Sequence, residues 1–171
     1  LQAIGVPVAP TIAVGRGLFE VDAILDLLRE RESFVVKPAS GSGGDGIIVV
    51  GARTDAGWRT ARGRDIAEHE MRLHLANITF GTFSKGLEDR LLVEERVLPH
   101  PLYDAFWPDG VCDLRVIVLR GKPVLSMVRV PTRRSGGRAN LHQGGIGVAV
   151  DIRPGAPYRA VCGGAAVVDH P

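Results

Sequence analysis

The sequence has very little cysteine, no long apolar run and almost no excess of charge, and each shortage removes a class of protein. Cys112 and Cys162 are the only cysteines and stand fifty positions apart. Neither a disulfide framework nor a zinc ribbon fits that spacing, and both thiols are expected to stay reduced. No apolar stretch approaches the roughly 18 residues of a membrane-crossing helix, and no secretory signal opens the chain. Basic and acidic residues number 21 and 19, a formal net charge of +2. That balance carries no footprint of a nucleic-acid binder, so any basic site must be local. A soluble cytoplasmic protein without nucleic-acid or membrane partners is the expectation.

What the sequence does have is glycine, 22 residues among 171. The glycines cluster at 41–46, 136–147 and 163–164, where the backbone is expected to turn sharply or come close to something. The chain starts without methionine at Leu1 and stops at Asp169-His170-Pro171 in a turn-like context, and is read as a fragment.

Hydrophobic spacing predicts the elements. Gly5 ends an opening helical turn, and Thr11 to Val14 reads as a strand. Val21, Ile24, Leu25 and Leu28 fall on one helical face, with Asp22 early and Arg29 and Arg31 late, as the helix dipole favours; this helix should end near Glu32. Phe34 to Val36 and Ile47 to Val50 are β-rich runs joined around glycines. Arg53 to Arg64 is polar with two glycines. Ala67, Met71, Leu75 and Ile78 mark a second helix, and Leu91 to Val93 a strand. The stretch holding Pro99, Pro101 and Pro108 is expected to be loop. Asp113 to Leu119 and Val124 to Val130, joined by Arg120-Gly121-Lys122-Pro123, read as an antiparallel hairpin. Pro131 to Gly137 is expected to be an exposed mobile loop. Gly147 to Ile152 and Ala165 to Val168 complete an α+β order dominated by hairpins in its second half.

Three constellations carry chemistry. The first is Phe34-Val-Val-Lys37-Pro-Ala-Ser40-Gly41-Ser42-Gly43-Gly44-Asp45-Gly46-Ile47. Its Gly41, Gly43 and Gly46 satisfy G-x-G-x-x-G literally, but a strand-like run follows where a Rossmann fingerprint needs a helix. A Walker loop also fails, because Lys37 precedes the glycines. The remaining arrangement is a flap whose backbone amides can cover a polyphosphate beside the Lys37 ammonium. Its bland counterpart is a surface hairpin with a solvated lysine, although a lysine in so apolar a strand needs an anionic partner. The second is Glu94-Glu95-Arg96, where a strand turns polar before a proline-rich linker and can offer main-chain groups to a base edge. A strand ending in solvated charges is the alternative. The third gathers Arg115, Arg129, Arg138 and Asn140, whose guanidinium groups suit a phosphate or carboxylate in fork geometry. Charge-protected edge strands would look the same, and whether Arg115 and Arg129 share a face depends on a register the sequence leaves open. His142 lacks companions at ligand spacing and is expected to be structural.

Together these segments resemble the ATP-grasp superfamily, and within it the glutamate-ligase-like and sugar-transfer-associated domains. The resemblance rests on GVPVAPT from Gly5, FVVKPASGSGGDGI from Phe34, LLVEERV from Leu91, DLRVIV from Asp113 and RANLHQGG from Arg138, in the family's order. It implies two lobes with antiparallel sheets enclosing a nucleotide site, truncated at both ends: residues 1–96 as a lid lobe with the glycine flap, and 97–171 as part of the second lobe. Lys37 would contact the α and β phosphates. Ser40, Gly41, Ser42, Gly43, Gly44 and Gly46 would form the phosphate-covering loop, and Glu94, Glu95 and Arg96 the adenine hinge. Arg115, Arg129, Arg138 and Asn140 would approach the γ-phosphate or the activated carboxyl group. The implied activity is ATP-dependent joining of a small-molecule or peptide carboxylate to an amine through an acylphosphate, with a non-catalytic nucleotide-binding module as the alternative. The family's second phosphate-contacting lysine and its Glu-x-Asn magnesium motif are missing, so Mg2+ ligands are expected outside this chain. Asp169 is not counted as one.

Overall fold

The computed structural model describes residues 2–104 and 110–167. Pro108 of the proline-rich stretch, Val168 of the last expected strand and Asp169 lie outside the described residues. The chain divides into two compact units, Leu1–Val97 and Leu98–Pro171.

The first unit is one six-stranded antiparallel sheet with two helices. In chain order it runs through a short 3-10 turn at Gln2–Ile4, β1 (Thr11–Gly15), α1 (Val21–Arg29), β2 (Phe34–Pro38), β3 (Ile48–Thr54), β4 (Gly57–Thr60), β5 (Asp65–Ala67), α2 (Glu68–Thr79) and β6 (Leu91–Glu94). The strand order is β1-β6-β2-β3-β4-β5. Strand β6, last in sequence, thus lies between β1 and β2. Val21, Ile24, Leu25 and Leu28 of α1, with Met71, Leu75 and Ile78 of α2, pack on Phe34, Val36, Val50, Leu91 and Val93 as anticipated, whereas Ala67 ends β5 ahead of the helix and is half-buried. Trp58 of β4 joins this core and meets the Phe34 ring edge-on at 5.9 Å. Glu70 starts α2 by accepting the Ala67 N–H at 3.0 Å, which satisfies one of the free amides of a helix N-terminus. On the surface, bidentate pairs Arg29–Glu68 and Arg72–Asp22 tie the helices together.

Because strands alternate, burying Phe34, Val36, Leu91 and Val93 on the helical side forces Val35, Lys37, Leu92 and Glu94 to the other side of the sheet. The polar stretch 53–64, which sequence left without an assigned element, is largely β-structure: β3 runs on to Thr54 and pairs with β4. Its side chains lack the alternation that marks a strand, and only Trp58 anchors it to the core.

The second unit is a five-stranded antiparallel sheet ordered β11-β10-β9-β8-β7, made of β7 (Asp113–Leu119), β8 (Lys122–Val130), β9 (Ile146–Val150), β10 (Pro157–Cys162) and β11 (Ala165–Ala166). Its core is small: Cys112, Val130 and Ile146, backed by Tyr103, Val128, Val148, Ala160, Cys162 and Val167. Strand β10 is an addition to the sequence reading. Pro101–Asp104 is a four-residue helix, α3, and not loop. Pro101 opens it, a position where a missing N–H costs nothing.

Pro131 to Gly137 departs most from expectation. Arg133 and Arg134 are exposed, but Thr132 and Ser135 are only 5% and 4% exposed. Each satisfies the other: the Thr132 N–H donates to Ser135 Oγ at 2.9 Å, and the Ser135 N–H to Thr132 Oγ1 at 3.1 Å. Thr132 Oγ1 also donates to the Gly144 carbonyl at 2.8 Å. The segment is a cross-bonded turn, which composition alone does not separate from a loose loop.

Candidate functional site

In the first unit Lys37 and Glu94 meet on the helix-free side of the sheet, with the glycine loop leaving the Pro38 end of β2 and Arg96 at the opposite, Phe34 end. Register places Lys37 opposite Leu92 and Val35 opposite Glu94, so Lys37 and Glu94 are diagonal neighbours on one face. Lys37 Nζ donates to Glu94 Oε2 at 2.5 Å, with side chains 31% and 18% exposed. The anionic partner that the apolar strand demanded is therefore supplied within the sheet. Around the pair lie Val14, Val35, Val49 and Leu92, half-buried or exposed, an apolar floor beside a charged couple. Arg96 lies against β3, with Nη1 3.2 Å from where a Cβ on Gly51 would be. The Glu95 N–H donates to the Pro10 carbonyl at 2.9 Å, so that hinge donor is closed to a ligand.

The glycine loop leaves β2 directly after Lys37 and is fastened at both feet. At the first foot the Ser40 N–H donates to both carboxylate oxygens of Asp89 at 3.0 Å. Asp89 is buried and also accepts from the Arg90 N–H at 2.7 Å and the Ser84 hydroxyl. Burial alone would raise the Asp89 pKa, but these donors outweigh it and hold the carboxyl below its usual range. At the second foot His74 Nε2 lies 2.9 Å from the Gly46 carbonyl, and its ring tilts against Phe83. Burial lowers the His74 pKa, favouring the neutral ring, more than the Gly46 contact raises it. Gly46 has φ +75° and a Cβ there would lie 2.5 Å from the Phe83 ring, so only glycine fits. Between the feet, Gly43 and Gly44 also have positive φ, and the Asp45 N–H returns to the Ser42 carbonyl at 3.2 Å. Asp89, His74 and Phe83 were missed in the sequence because each acts on a loop some thirty to fifty positions away.

In the second unit, the hairpin register answers the question that sequence left open. Asp113 faces Arg129 and Arg115 faces Met127, so Arg115 and Arg129 share a face. Arg129 is engaged, its Nε donating to Asp113 Oδ1 at 2.7 Å and its Nη2 to Oδ2. The RANLHQGG segment folds against this same face: a Cβ on Gly147 would lie 3.2 Å from Leu141, which occupies the space that glycine leaves. Asn140 Oδ1 accepts the His142 N–H at 3.1 Å and caps the 3-10 turn Leu141–Gln143, so its oxygen is committed to the backbone. Arg138 Nη1 lies 3.5 Å from Gln143 Oε1. Burial pushes the Cys112 thiol up, away from a reactive thiolate.

The first unit thus holds a β-strand lysine beside a fastened glycine loop, and the second holds arginines beside an Asn-Leu-His-Gln-Gly-Gly turn. The family described as sugar-transfer associated ATP-grasp matches residues 1–171. The chain belongs to that family. No curated protein and no solved structure matches it. The ATP-grasp assignment makes this a nucleotide-binding domain of α+β class, with two antiparallel sheets and few helices. ATP-grasp domains typically bind ATP with Mg2+. Among the described residues, no group of three or more His, Cys, Asp or Glu is placed to hold a metal ion. No helix among them is long and apolar enough to cross a membrane.

Proposed function

We propose that this ATP-grasp domain serves an ATP-dependent carboxylate–amine ligase that forms an amide through an acylphosphate. The observation carrying the proposal is the Lys37–Glu94 pair on an apolar, helix-free sheet face, at the foot of a glycine flap fastened by Asp89 and His74. The purine lies on the apolar floor. Lys37 exchanges its partner Glu94, in whole or part, for the α and β phosphates, a point charge trading one anion for another. The amides of Gly41, Ser42, Gly43, Gly44 and Gly46 cover the phosphates, and Arg96 belongs to the hinge. Residues 1–96 act as the lid lobe and 97–171 as part of the second.

Arg115, Arg129, Arg138 and Asn140 are assigned to the γ-phosphoryl group and the activated carboxyl. A carboxylate oxygen attacks the γ-phosphorus, and the bond to the bridging oxygen breaks with its electrons leaving on ADP. The amine then attacks the acyl carbon, phosphate departs, and a proton is lost from nitrogen. The protein's task is positioning two anions and offsetting their repulsion, which arginines and a lysine perform without a protein nucleophile.

The test is hydroxylamine trapping. With ATP, magnesium and a panel of carboxylic acids, an acylphosphate formed by the full-length protein that carries this domain yields a hydroxamate together with stoichiometric ADP. Hydroxamate that requires both ATP and acid supports the ligase. Saturable ATP binding with no hydroxamate across the panel replaces it with the non-catalytic nucleotide-binding module.

A further inference from the structure

The same register that unites Arg115 and Arg129 brings a third arginine to their face. Arg159 of β10 pairs with Ala149 of β9, Ala149 with Met127 of β8, and Met127 with Arg115 of β7. These four residues form one cross-strand row. Its orientation is fixed by what lies on the reverse side, where Ala160 and Cys162 pack with Val148 and Ile146 in the small core. Arg159 must then point the other way, with Val161, whose side chain borders Gly147 beside Leu141.

The charges along this row are uneven. Arg129 is held by Asp113, whereas Arg115 and Arg159 are exposed and neither has an ion pair among the described residues. Three inter-strand steps of about 4.8 Å put their Cα atoms roughly 14 Å apart. Between them Met127 and Ala149 are half-buried and offer no hydrogen-bonding side chain except the weak thioether. Exposed Ile117 and Leu125 continue that apolar strip alongside. A cation at each end of an apolar strip matches an elongated molecule with a negative group at each end and an uncharged middle.

We infer that Arg159 is a specificity-determining residue that binds the remote anionic group of a dianionic carboxylate substrate, whose other end is the carboxylate addressed by Arg115. The inference rests on the ligase reading for the fate of that carboxylate, and it adds a substrate class: acids with a second negative charge.

The test compares adipate with hexanoate, equal in carbon number but differing by one terminal carboxylate, by calorimetric or NMR titration of the wild-type chain, Arg159→Gln and Arg159→Lys at low salt. Adipate is expected to bind about tenfold more tightly than hexanoate, the contribution of one charge-assisted contact. Arg159→Gln should abolish that preference while leaving ATP affinity unchanged, and Arg159→Lys should keep part of it. Equal binding of the two acids to wild type, no detectable adipate binding, or a preference that survives in Arg159→Gln would overturn the inference. Loss of ATP binding in every form, with the adipate preference intact, would instead sink the ligase reading and leave the anion site standing.

Discussion

Replacing Lys37 with alanine perturbs the proposed nucleotide site and the resting sheet at once, and the structure separates the two effects. In the resting molecule the change strands Glu94, which is 18% exposed and loses its 2.5 Å partner. A fully buried pair broken on one side costs 3–5 kcal/mol, roughly, and an exposed one under about 1; this partly exposed pair should cost about 1–2 kcal/mol of stability. In binding, a charge-assisted phosphate contact contributes about 1.5–3 kcal/mol, less the coupling to Glu94 that is surrendered, about 1 kcal/mol. The net loss of about 0.5–2 kcal/mol is a weakening of ATP binding by roughly 2- to 30-fold. Calorimetric titration with ATP, alongside urea unfolding to confirm that the variant stays folded, reads both numbers. Glu94→Gln supplies the control, because it frees the ammonium and should not weaken phosphate binding as Lys37→Ala does. Identical ATP affinity in Lys37→Ala and wild type would refute the assignment of Lys37 to the phosphates.

Asp89→Asn should cost about 1–3 kcal/mol, since one amide oxygen replaces a carboxylate accepting from Ser40, Ser84 and Arg90, and hydrogen exchange at the Ser40 amide should accelerate. Gly46→Ala, forced to positive φ against the Phe83 ring, should lower the urea midpoint by the equivalent of more than about 1 kcal/mol, and truncating Phe83 should recover only the steric part. Because the folded-state His74 pKa is depressed, the unfolded chain binds the extra proton first; stability should be present above about pH 6.5 and fall as pH drops through the depressed value. A His74→Asn variant with the same slope between pH 8 and 5 would contradict this. In the ligand-free chain, amides 41–44 should exchange quickly while Ser135 N–H, bonded to buried Thr132, exchanges slowly; equal rates would argue against the cross-bonded turn.

Much of the chain was legible because its signals are local. Helical spacing of Val21, Ile24, Leu25 and Leu28 and of Met71, Leu75 and Ile78 needs only a stripe of apolar side chains, and those stripes are the buried ones. The glycine loop after Lys37, with a strand instead of a helix behind it, excluded two phosphate-binding motifs without reference to any distant residue. The hairpin at Arg120-Gly121 was equally plain, both residues taking the positive φ of a tight turn. These features are written within windows of ten or fifteen residues, where propensity and steric preference act.

Tertiary structure decided the pairings. Which anion satisfies Lys37 depends on β6 inserting between β1 and β2, which places Glu94 diagonal to a lysine 57 positions earlier. Whether Arg115 and Arg129 meet, and that Arg159 joins them, follows from strand register, where a slip of one residue would send every side chain to the opposite face. Thr132 and Ser135 read as loop residues but are buried because each supplies the hydrogen bonds the other requires, a reciprocity with no compositional trace. Residue types and local periods told where chains of one kind of chemistry begin and end. The contacts between them, set by register and by the sharing of buried hydrogen bonds over long sequence distances, existed only once the sheets had formed.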